Sequence, residues 1–99
     1  MQPVDLPSGK DILEAVRRRA IEQWGEDKWK ANLVREYVKI VKARGLTDKD
    51  QNATAVNRRP QIDRAFEQGS CTLDTAIALA AAVGCRFQMA CTEVRIEEF

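Results

Sequence analysis

The sequence predicts a mainly α-helical fold that ends in a short β-strand element, and three observations carry the prediction. Apolar residues recur at three- and four-residue spacing through residues 10–45, capping residues and glycines punctuate shorter helical segments between 46 and 84, and residues 85–91 alternate in polarity. Ninety-nine residues, 44% hydrophobic and 31% charged, suit one core rather than two. The expected layout is a flexible N-terminal tail over 1–9 and a single domain over 10–99. That domain divides into a helical hairpin (10–45), two short helices with a following core helix (46–84) and a C-terminal β element (85–99).

In "GKDILEAVRRRAIEQWG", Ile12, Leu13, Val16, Ala20, Ile21 and Trp24 form one helical face, and Gly25 offers a left-handed stop. Arg17, Arg18 and Arg19 fall mainly opposite that face, with Glu14 and Glu22 within one turn, which reads as a solvated surface. The next helix carries Trp29, Leu33, Val34, Tyr37, Val38 and Val41 on one side. Acids at its start and Lys39, Lys42 and Arg44 at its end match the helix dipole, and Gly45 closes it. Trp24 and Trp29 flank the Gly25 turn and are expected to staple the hairpin to the core.

After Gly45, Thr47 caps a weak helix whose apolar positions are Ala53, Ala55 and Val56. Asn57 is expected to take a left-handed turn, and Pro60 to open a second short helix with Ile62, Ala65 and Phe66 inward, ending near Gly69. Thr72 caps the following helix, expected to bury Leu73, Ile77, Ala80 and Val83 before Gly84. In the tail, Cys85, Phe87, Met89 and Cys91 share one parity, Val94 and Ile96 the other, so a bulge or turn is expected near Thr92 and Glu93.

Composition narrows the function classes. The net charge of +1 gives no global pull toward nucleic acid or membrane, so position decides. With no histidine, and with Cys71, Cys85 and Cys91 lacking a CxxC pair, neither a metal site nor a disulfide framework is expected. On one extended strand Cys85 and Cys91 would lie about 20 Å apart, too far for a bridge, and they are read as buried or interfacial. The chain has no leader-like opening, no membrane-length apolar run, no nucleophile with a base and no Gly-rich phosphate loop. The expectation is a cytoplasmic protein that is not an enzyme, with no catalytic residues and no cofactor.

The informative stretch is "AVNRRPQIDRAFEQGS". A helix starting at Pro60 would direct backbone N–H groups at an anion such as a DNA phosphate, with Arg58 and Arg59 beside that end. Gln61 and Arg64, three apart on one face, have the chemistry to pair with adenine and guanine edges.

At this point the order "GLTDKDQNATAVNRRPQIDRAFEQGSCTLDTAIALAAAVG" resembles the Cro/repressor (Xre-type) helix-turn-helix family, especially antitoxin-like members that read "RP-x-I-x-R-x-F…G…TL-x-T". The resemblance spans residues 45–84. It implies a sequence-specific double-stranded DNA-binding transcriptional regulator, a dimeric repressor, whose helix from Pro60 to Gln68 enters the major groove. It places Arg58 and Arg59 at the turn and helix start, Gln61 and Arg64 on the base-facing side and Gln68 at the end. Asn57 stands where the family's turn carries glycine. Two other readings stay open: an antitoxin-type regulator that also binds a toxin or another regulator, and a helix-turn-helix adaptor that has lost DNA binding. For the homodimer, the C-terminal strand is expected to pair with its copy, the alternative being a private hairpin with dimerisation through the N-terminal helices.

Overall fold

The computed structural model describes residues 8–45, 47–91 and 95–98. It is mainly helical: α1 (Gly9–Trp24), α2 (Trp29–Arg44), α3 (Asp48–Gln51), α4 (Ala55–Gln68) and α5 (Leu73–Ala82), followed by β1 (Gln88–Cys91) and β2 (Arg95–Glu98).

Helix α1 starts on a reciprocal cap. The Ser8 hydroxyl accepts from the Asp11 N–H, and the Asp11 carboxylate accepts from the Ser8 N–H at 3.0 Å, which holds the Asp11 carboxyl below the usual carboxylate range. Helix α2 begins at Trp29, so Glu26 and Asp27 lie in the turn ahead of it rather than in its first turn as the charge order suggested. Lys42 and Arg44 occupy its last turn, and Gly45 ends it at φ 57°. Leu13, Val16 and Ala20 of α1 bury against Leu33, Val34, Tyr37 and Val41 of α2, in the same cluster as Ile62, Ala65, Leu79 and Val83. The N-terminal hairpin therefore shares the core of α4 and α5. Trp24 and Trp29 pack on this core, and Trp29 meets Phe66 edge-on at 5.5 Å between ring centres, joining α2 to α4.

The segment between Gly45 and Gly69 departs from the sequence reading. Helix α3 is a single turn capped by Thr47, and α4 begins at Ala55, not at Pro60. Thr54 accepts from the Asn57 N–H while the Asn57 side chain accepts from the Thr54 N–H at 2.9 Å. Asn57 is thus the third residue of a helix rather than a left-handed turn. A reciprocal cap satisfies two donors and fixes the start, whereas Pro60 removes only one N–H. The acceptor that loses its partner is the carbonyl of Val56, on the exposed first turn. The connection between α3 and α4 is Asn52, Ala53 and Thr54, with Ala53 buried in the core.

Helix α5 buries Ala76, Ala78, Leu79, Ala80 and Ala82, and its C-cap Val83 is buried too. Leu73 and Ile77 were expected inside, but they stand 68% and 36% exposed on the other side. The tail pairs within the chain: β1 and β2 are antiparallel, with Gln88 opposite Glu98 and Cys91 opposite Arg95. The expected pairing of this strand with a copy is therefore not needed to give it a partner: the private hairpin, which was the alternative, is what forms, with β2 opposite β1 in cis. The bulge expected at Thr92 and Glu93, the parity of Val94 and most of the tail expected over 1–9 lie outside the described residues. Cys85 is exposed rather than buried, and it precedes β1 instead of lying in it.

Candidate nucleic-acid interface

Helix α4 presents its surface in three strips, fixed by which side meets the core. Ile62 and Ala65 point inward. On the flank toward α2, Asp63 accepts from Lys30 at 3.1 Å and from Arg59 at 3.4 Å. Burial alone would raise the Asp63 carboxyl, but these two cations hold it below the usual carboxylate range. On the flank toward α3 and α5, the Arg58 guanidinium donates to the Lys49 carbonyl at 2.9 Å and pairs with Asp50 at 3.4 Å. Its side chain is only 20% exposed. Gln61 donates to the Thr75 hydroxyl at 3.3 Å, and Thr75, buried on α5, also hydrogen-bonds the Thr72 hydroxyl at 2.9 Å.

The outermost strip carries Val56, Pro60 and Arg64 at successive four-residue spacing, all exposed, with Gln68 one turn beyond Arg64. The five residues singled out in the sequence therefore divide. Arg64 and Gln68 face outward, and among the described residues neither makes a hydrogen bond or ion pair. Arg59 is 45% exposed and held only by Asp63, a surface pair of small worth. Arg58 and Gln61 face neighbouring helices and fix α4 to α3 and to α5.

Val56 is a further candidate contact, which the sequence pattern does not single out. At 85% exposed, it shows the largest fraction of its surface among the exposed large hydrophobic residues described. The sequence reading assigned it to the apolar side of the preceding helix. Because α4 starts at Ala55, Val56 instead falls in the first turn, beside N–H groups that have no acceptor within the helix. The signal available in the sequence was Thr54 followed by Asn57 at the capping-box spacing.

Among the described residues, no group of three histidine, cysteine, aspartate or glutamate side chains could hold a metal ion, and no helix is long and apolar enough to cross a membrane. No protein-family model, curated protein or solved structure matches the chain.

Proposed function

We propose that this chain is a sequence-specific double-stranded DNA-binding transcriptional regulator of the helix-turn-helix type that acts as a homodimer. The observation that carries the reading is the outer strip of α4, where a guanidinium and a carboxamide project one turn apart and an exposed aliphatic side chain, Val56, stands two turns nearer the helix start. The one-turn α3, the three-residue connection and the fourteen-residue α4 support it, since a short turn between two helices is how such motifs present a reading helix.

In this reading Arg64 pairs with a guanine edge and Gln68 with an adenine edge, each contributing about 1–3 kcal/mol of discrimination. Val56 contacts a thymine methyl group. Arg59 swings from Asp63 to a phosphate, while Arg58 and Gln61 orient the helix and touch no base. Selection from a randomised duplex pool is expected to yield a consensus. Replacing thymine by deoxyuracil at the Val56 contact should weaken binding by the wild type but not by Val56→Ala. Failure to enrich any sequence contradicts the proposal.

The apolar strip of Leu73 and Ile77 favours a second reading, a helix-turn-helix adaptor or antitoxin-type protein that binds another protein. Salt separates the two, because phosphate contacts weaken steeply as salt rises and apolar contacts do not.

A further inference from the structure

The direction of each side chain on α4 follows from the helical repeat of about 100° per residue, taken from the buried Ile62 and Ala65. The two residues most directly opposite that buried side are Pro60 and Glu67, with Arg64 and Val56 next to them. Glu67 is exposed, and among the described residues it makes no hydrogen bond or ion pair, not even with Arg64 one turn away. The strip that carries the Arg64 guanidinium thus carries a carboxylate at its crest.

A carboxylate on a strip that enters a groove is repelled by the phosphates on either side, and guanine and thymine meet it with acceptors or a methyl group. Only an amino group can donate to it. Adenine offers one beside its N7 acceptor, whereas cytosine presents its N4 amino group with no acceptor on the same edge. We propose, on the reading of α4 as the helix that enters the major groove, that Glu67 is a specificity-determining residue that accepts a hydrogen bond from a cytosine N4 amino group. Three residues separate Arg64 from Glu67 by about 4.5 Å along the helix axis, close to the roughly 3.4 Å step between stacked bases. The cytosine therefore lies at the base pair next to the guanine that Arg64 contacts. The strip reads an acceptor and a donor in succession, and the carboxylate turns away duplexes that lack the amino group.

Selection from a randomised duplex pool, run in parallel on the full-length wild type, Arg64→Ala, Glu67→Ala and Glu67→Gln, tests it. The wild type should enrich a cytosine next to the guanine that Arg64→Ala ceases to select. Glu67→Ala should lose the cytosine and keep the guanine. Glu67→Gln should exchange cytosine for adenine, since a carboxamide pairs with both groups on the adenine edge. In the selected duplex, N4-methylcytosine at that position sets a methyl group in the path of the carboxylate, and it should weaken binding by the wild type about tenfold but not by Glu67→Ala. Both Glu67 variants should melt with the wild type, because the position is exposed. A wild-type consensus with the guanine but no neighbouring cytosine, or a Glu67→Ala variant that keeps the cytosine, would overturn the assignment and leave Arg64 as a base reader. Loss of the guanine by Glu67→Ala would overturn it too, since Glu67 would then act by orienting Arg64. A pool in which nothing is enriched would remove the DNA reading of α4 and this assignment with it.

Discussion

Two arginines six residues apart on α4 have different work. Arg58 is held under α3 by the Lys49 carbonyl and Asp50, whereas Arg64 faces outward. Arg58→Ala should therefore destabilise the fold by about 1–2 kcal/mol in urea denaturation, because it strips the end of α3 of its donor. Arg64→Ala should leave stability within about 0.5 kcal/mol of the wild type. The chemistry of this region was legible in the sequence, but the division of labour was not. With a helix starting at Pro60, Arg58 sits in a turn and can reach a phosphate. With a helix starting at Ala55, it is already a full turn in and its direction is fixed toward α3.

At the scale of elements, caps decided more than proline did. Thr54→Ala removes the acceptor for the Asn57 N–H and should cost about 1 kcal/mol, read as a lower thermal midpoint. The α2–α4 tie through Asp63 has a definite pH signature. Its carboxyl titrates below the usual aspartate range in the folded chain, so the stabilisation is present above that range and is lost as pH falls through the lower, folded pKa. Comparison of wild type with Asp63→Asn should show a difference of at most about 1 kcal/mol at pH 7, since the group is partly exposed, and the difference should vanish below the folded pKa. Helices α1 and α2 were readable because their apolar spacing is interrupted by charge. The orientation of α5 was not, because "LDTAIALAAA" is apolar nearly all round and periodicity cannot choose between Leu79 and Leu73 as the inward leucine.

Across the whole molecule, one core joins the N-terminal hairpin to α4 and α5, and the tail satisfies its own strand pairing. The tail's alternation was visible in the sequence, yet whether its strand paired in cis or with a copy depended on β2, whose parity change is compatible with either. In the proposed function the outer strip of α4 reads DNA while its flanks hold the helix in place. Fluorescence anisotropy with the selected duplex and a scrambled one, at two salt concentrations, tests this most directly. The wild type should prefer the selected duplex and lose affinity steeply with salt, and Arg64→Ala should lose the preference while keeping its fold and its salt dependence. Equal binding to both duplexes by the wild type, or a preference that survives in Arg64→Ala and Gln68→Ala alike, would contradict it.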